Sequence, residues 1–120
     1  VPGEQRFTRE ERIRRQRDFD IVYREGRTVR LPGMVLRVRP NGLAHSRLGL
    51  SVSRRVGNAV VRNRVKRLLR EAWRLNKTLA APPSDIVAIP HPGADRWRFQ
   101  EVQALLQRGL QSAGKAAGGG

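Results

Sequence analysis

The amino-acid sequence predicts a single small α/β domain shaped to hold a polyanion, and three observations predict it. Its 120 residues suffice for one hydrophobic core, which at this size buries about two-thirds of the unfolded surface. Its apolar residues recur with a helical period in some stretches and alternate in others, in the order helix, strands, helix, strand, helix. Its 25 Lys and Arg outnumber 10 Asp and Glu, a formal charge of +15 that asks for an anionic partner.

Residues 1–15 carry Arg6, Arg9, Arg12, Arg14 and Arg15 with three acids and few apolar groups, the composition of a flexible basic arm that orders on contact. From Gln16 to Glu25, the residues Phe19, Val22 and Tyr23 share one helical face, and Gly26 stands where a left-handed cap would end the helix. Met34, Leu36 and Val38 alternate with Val35, Arg37 and Arg39, and Leu48, Leu50 and Val52 alternate with Gly49, Ser51 and Ser53. With Pro40-Asn41-Gly42 between them, these runs read as an antiparallel hairpin with one apolar face. Gly57 permits a turn that most residues resist, and Asn58 is placed to cap the helix that follows. Ala80 to Ser84 is a proline-marked loop, and Asp85 to Ile89 is a nearly continuous apolar run, as in a central strand. After His91-Pro92-Gly93, Asp95 can cap a last helix whose buried stripe is Phe99, Val102, Leu105, Leu106 and Leu110. Residues 113–120, AGKAAGGG, read as a disordered Gly/Ala-rich tail, which leaves residues 16–112 as the folded domain.

The middle helix carries the functional signal. Projected at about 100° per residue, Val61, Val65, Leu68 and Ala72 fall on one side with Leu69 and Leu75 beside them. Asn63, Lys66, Arg67, Arg70 and Arg74 cluster roughly opposite, and Arg62 and Arg64 stand near the two borders. Between Arg54 and Arg74 there are eight Arg or Lys and one acid, Glu71. An i,i+4 lattice of mixed charges cannot employ them, and a merely solvated face would mix signs. Of the 25 cations 22 are Arg, whose planar fork binds phosphate and stacks on bases, so nucleic acid is the favoured partner.

Other classes fit less well. No apolar run approaches the roughly 18 residues of a spanning helix, no secretory h-region is present, and the apolar side of the basic helix is committed to a core. The expected location is therefore the cytoplasm, away from membranes. With no cysteine and only His45 and His91, both in loops, neither a disulfide frame nor a cysteine zinc site can form, and no nucleophile–histidine arrangement emerges. The acids are dispersed: Asp18 and Asp20 diverge on a helix, Asp85 opens a buried strand and Asp95 reads as a cap. No metal site and no catalytic residue are assigned to the chain. A helix-turn-helix DNA reader needs two helices joined by a short turn, whereas here a strand and Gly57 precede the basic helix.

The stretch RLGLSVSRRVGNAVVRNRVKRLLREAW closely resembles the protein subunit of bacterial ribonuclease P. Arg62-Asn63-Arg64 followed by Val65-Lys66-Arg67 is similar to that family's Arg-Asn-Arg motif. Arg14-Arg15-Gln16-Arg17-Asp18-Phe19 is similar to its first-helix motif, and Asp85 to Ile89 to its last strand. The resemblance runs from about residue 6 to residue 110. It implies an α+β two-layer sandwich of the order α-β-β-β-α-β-α, like the second domain of a small-subunit ribosomal protein. Its four-stranded, mainly antiparallel sheet would have a left-handed β-α-β crossover, against the right-handed rule for such units.

The same resemblance implies two RNA surfaces. Arg54, Arg55, Arg62, Asn63, Arg64, Lys66, Arg67 and Arg70 would face a catalytic RNA. Phe19, Tyr23, Arg37, Ser51, Ser53 and Arg54 would line a cleft for the single-stranded 5′ leader of precursor tRNA, with the aromatic faces stacking on bases. Arg37 and Ser53 stand where some members carry tyrosine and lysine. The implied partners are the catalytic RNA, one protein per RNA, and precursor tRNA. The reaction is hydrolysis of one phosphodiester bond in that substrate, with catalysis in the RNA and Mg²⁺ held mainly by it. A ribosomal or other structural RNA-binding protein would share the charge, the small fold and the basic helix.

Overall fold

The structure is a computed structural model and describes residues 7–119. Helix α1 spans Gln16–Glu25. It ends at Gly26, whose backbone is extended (φ −79°, ψ 163°) and not in the left-handed conformation expected of it. Space explains that glycine: a Cβ there would lie 2.4 Å from the carbonyl oxygen of Val22.

Strand β1, Arg27–Leu31, follows at once and turns through Pro32-Gly33 into β2, Met34–Pro40, with Leu31 opposite Met34. Gly33 takes φ +81°, the sign of φ that a type II turn needs at its second central residue, after a proline at the first. This hairpin corrects the one read between residues 34–38 and 48–52. Strand β3, Arg47–Leu50, does not pair with β2; β4, Ser84–Pro90, lies between them, and the sheet order is β1-β2-β4-β3. β2 and β4 are antiparallel, whereas β3 and β4 are parallel. The reason is burial. β4 is apolar on both faces and takes the centre, while Asn41-Gly42 opens a longer passage across the sheet. Parallel neighbours require a crossover, and helix α2, Ala59–Asn76, is that crossover.

Asn58 caps α2 as expected, its side chain accepting the Val61 amide at 3.0 Å. Gly57 is not among the positive-φ glycines; a Cβ there would sit 2.6 Å from Val61, so it gives room and not an unusual turn. The apolar side of α2 is rotated from its projection: Val65, Leu69, Ala72 and Trp73 are buried, and Leu75 is exposed. After β4, Ala94–Arg96 form a 3₁₀ turn and helix α3 runs Phe99–Gly119. Asp95 lies in that turn and does not cap α3; the Glu101 carboxylate accepts the Arg98 amide at 3.1 Å instead.

Met34, Leu36, Val38, Ile86 and Ala88 form one sheet face, against which α2 packs with Val102, Leu106 and Leu110 of α3. The other face carries α1, with Val22, Val87 and Ile13 buried together and Phe19 and Ile89 packed beside them.

Both termini are more ordered than their composition suggests. Within residues 7–15, Arg9–Glu11 form a 3₁₀ turn, Arg12 bridges in parallel to Leu48, and the Ile13 amide donates to the Leu48 carbonyl at 3.0 Å. Glu11 is buried with Lys77 2.8 Å away. This corrects the flexible arm for residues 7–15: Phe7 and Ile13 supply apolar anchors, and the ion pair fastens the strap between them. Residues 1–6 lie outside the described residues. At the other end Ala113 is buried and the helical backbone continues to Gly119. Alanine favours helix continuation once a buried stripe has nucleated it. Gly120 lies outside the described residues.

Candidate nucleic-acid interface

The cations of α2 divide between two flanks. Arg62, Lys66 and Arg70 recur at four-residue spacing and so run in one line along the helix. Lys66 and Arg70 reach the sheet edge beyond β3, where with Phe19, Leu48 and Leu50 they border a hollow of about 170 Å³. Arg64 and Arg67 point toward α3, around a hollow of about 460 Å³ completed by Leu68, Glu71 and Phe99. Asn63, Arg67 and Arg70 are exposed, and Arg62, Arg64 and Lys66 are half-buried.

Their surroundings differ. Arg64 donates to the carbonyl oxygens of Asp95 (3.2 Å) and Trp97 (2.6 Å), which ties α2 to the turn before α3. The Nε of Arg62 is buried with no hydrogen-bond partner among the described residues. Partial desolvation, and then the nearby charge of Arg12, lowers the pKa of Arg70 although much of its side chain is exposed. Arg54 and Arg55 are exposed on the turn that leads into α2, where the Gly57 amide donates to the Arg54 carbonyl at 3.2 Å.

Of the residues expected to line a cleft against the first helix, Phe19 and Tyr23 stand on α1 with ring centroids 6.5 Å apart and planes inclined by 27°. Phe19 is half-buried over Gly49, whereas Tyr23 is 38% exposed. Ser51 turns to the same face as Gly49 by strand alternation, and its amide donates to the Ala88 carbonyl at 3.0 Å. Arg37 braces rather than stands free: it donates to the Tyr23 carbonyl at 2.6 Å and to the Thr28 hydroxyl. The Ser53 hydroxyl accepts the Arg55 amide at 3.3 Å, so Ser53 and Arg54 belong to the exposed turn beyond the sheet.

The acids are engaged one by one. Asp85 accepts Arg47 at 2.8 and 2.5 Å and Asn41 at 2.9 Å, and its hydrogen bonds raise the Arg47 pKa. Glu25 holds Arg39 at 3.0 Å, and Glu71 holds Arg74 at 2.5 Å. Among the described residues no three His, Cys, Asp or Glu gather where they could hold a metal ion.

Sequence reasoning passed over two residues beside this candidate interface. The guanidinium of Arg12 lies 4.8 Å from the centre of the Phe7 ring, and both residues border the 170 Å³ hollow. The available signal was Phe7 and Ile13, two apolar anchors inside an arginine-rich segment that composition alone assigned to an arm.

Comparison with known proteins agrees with this fold. The family model described as Ribonuclease P matches residues 7–114. The ribonuclease P protein component of Syntrophobacter fumaroxidans is 46% identical over 105 residues, covering 87% of this chain and 88% of that protein. The solved ribonuclease P protein of Thermotoga maritima superposes with a TM-score of 0.78 at 37% identity, covering 85% of this chain and 96% of that one. That of Staphylococcus aureus gives 0.77 at 34% identity, covering 86% and 94%. By sequence over nearly its whole described length, and by fold, the chain belongs to the ribonuclease P protein family.

Proposed function

We propose that this chain is the RNA-binding subunit of ribonuclease P, grasping the catalytic RNA through α2 and the turn before it and receiving the 5′ leader of precursor tRNA beside α1. The observation that carries this reading is the line Arg62, Lys66 and Arg70 on α2, next to the half-buried ring of Phe19. A buried, unmet donor such as the Arg62 Nε costs about 1–3 kcal/mol, and an RNA oxygen is the kind of acceptor that would meet it. Phosphate contacts along α2 would set the protein's position, while Phe19 and Tyr23 give unpaired bases a surface to stack on, at roughly 1–3 kcal/mol each.

In this reading the protein holds and the RNA cleaves. The paired and dispersed acids leave Mg²⁺ to be bound mainly by the RNA, and the cations raise affinity for substrate and metal by relieving phosphate crowding. One protein serves each RNA, in the cytoplasm; among the described residues no helix is long and apolar enough to cross a membrane. Adding the purified chain to the catalytic RNA at low Mg²⁺ is expected to raise the rate of leader removal. Absence of stimulation would sink the reading in favour of a structural RNA-binding protein.

A further inference from the structure

We infer that Arg47 is a positioning residue for leader recognition: held by Asp85 in the sheet, it fastens the first turn of α1 through Asp18 and so sets where Phe19 stands over β3. The inference rests on the reading above, in which the leader lies beside α1, and adds a residue that belongs to neither predicted RNA surface.

Helix α1 needs fastening. Of its ten residues Val22 alone is buried, and the side chain of its N-cap residue, Arg15, makes no capping hydrogen bond. An element with so little apolar contact opens readily, so its pose depends on polar ties to the sheet. At its C-terminal end those ties come from β2, with Arg37 donating to the Tyr23 carbonyl at 2.6 Å and Arg39 to the Glu25 carboxylate at 3.0 Å. At its N-terminal end the tie is the ion pair of Asp18 with Arg47 of β3, at 3.8 Å.

Arg47 suits this task because the sheet fixes its own place. It stands opposite Asp85 in the parallel pairing of β3 with β4. Its Nε and one terminal nitrogen donate to the two Asp85 oxygens at 2.8 and 2.5 Å, and Asn41 donates to the same carboxylate at 2.9 Å. Asp85 is 3% exposed, so breaking this fork would strand a buried charge. The other terminal nitrogen is the one that faces Asp18. The Asp85 hydrogen bonds raise the Arg47 pKa most, and the Asp18 charge adds to them. A mobile surface pair would contribute little, but here the cation is immobilised by a second carboxylate, and the two side chains are only 21% and 22% exposed. Lysine could not replace it, since an ammonium is a point charge without the span of the fork. Two residues along β3, and so on the same face, Gly49 leaves room for the Phe19 ring. Phe19 follows Asp18 directly, so a first turn that drifts from Arg47 carries the ring with it.

The position of the ring can be read without RNA. Phe19 lies against Gly49, so its ring current displaces the Gly49 α-proton resonances. Asp18→Asn and Arg47→Lys are each expected to move those resonances. In the chain reconstituted with the catalytic RNA, each is also expected to lower the preference for precursor over mature tRNA about 3- to 10-fold, part of the value of a stacked base. Removing an acid from a chain of charge +15 would by charge alone tighten every RNA complex, so a loss confined to the precursor has the opposite sign. Asp18→Glu keeps the carboxylate and is expected to recover part of the preference. Because both residues act through one contact, the double variant should lose no more than the more affected single one. Unmoved Gly49 resonances, an unchanged preference, multiplicative losses, or equal loss on precursor and mature tRNA would overturn the inference. Should Arg47→Lys fail to fold, Asp18→Asn decides, since it leaves the Arg47–Asp85 fork intact. If the native chain itself shows no preference for precursor over mature tRNA, the leader reading falls and takes this role of Arg47 with it.

Discussion

Gly49 leaves the space over which the Phe19 ring lies. A Cβ at residue 49 would lie 2.8 Å from the Phe19 ring and 3.1 Å from the Cβ of Ile13, so the ring would have to shift to admit it. Gly49→Ala is expected to destabilise the protein by about 1–3 kcal/mol in urea unfolding, and an unchanged midpoint would show that the ring repacks freely. Phe19→Ala in a folded chain is expected to weaken binding of precursor tRNA and spare mature tRNA; equal loss on both would place Phe19 in packing alone. Arg64 and Arg67 make a second contrast. Arg64→Ala removes two hydrogen bonds to backbone carbonyls and is expected to lower stability by about 1 kcal/mol as well as RNA affinity, whereas Arg67→Ala should change affinity only. The helical projection put Arg64 near a border and Arg67 on the polar face. It could not show that one of them holds carbonyls 31 and 33 residues further on, because that contact depends on where α3 begins.

At the scale of elements, the strap is a small lever on the sheet edge, and its clasp titrates. Burial raises the Glu11 pKa, but hydrogen bonds from Lys77 and Thr8, with the Lys77 charge, more than offset this and hold it below the ordinary 4.5. A carboxylate whose folded pKa is depressed stabilises the fold fully above its unfolded value and loses that contribution as pH falls through the folded one. Protection of the Ile13 amide is therefore expected to be high at neutral pH and to decline on acidification below about 4.5, as ordinary for an unfolded glutamate. Glu11→Gln should remove that pH dependence, and a decline identical to the native protein's would detach the strap from this pair. Composition hid the strap, since five arginines outweighed Phe7 and Ile13. Periodicity was a better guide elsewhere: α1, α2 and the stripe of α3 could be read directly from spacing. Strand partners could not. Pro32-Gly33 was a turn signal as good as Asn41-Gly42, and only burial of β4 on both faces decides that the first makes a hairpin and the second does not.

For the whole molecule, the net charge of +15 works in opposite directions on stability and on function. Within the free protein the cations repel, over a screening distance of about 8 Å at physiological ionic strength. Raising salt is thus expected to increase the melting temperature of the free chain while weakening its RNA complexes, and two melts and two titrations across the same salt range check both signs. Curves that move together would mean that the charges are already neutralised within the fold. The sheet order has a consequence of another kind. β4 is the last strand to leave the ribosome, yet β2 and β3 are joined only through it. While residues 27–76 emerge, the β1–β2 hairpin is the one strand pairing open to them; β3 and α2 must wait for residues 84–90, a non-local closure of the slow kind. A nascent chain stopped before Ser84 would already carry the entire basic helix with no sheet to seat it. The surface proposed to grip RNA is made early in synthesis and is fixed in place only near its end.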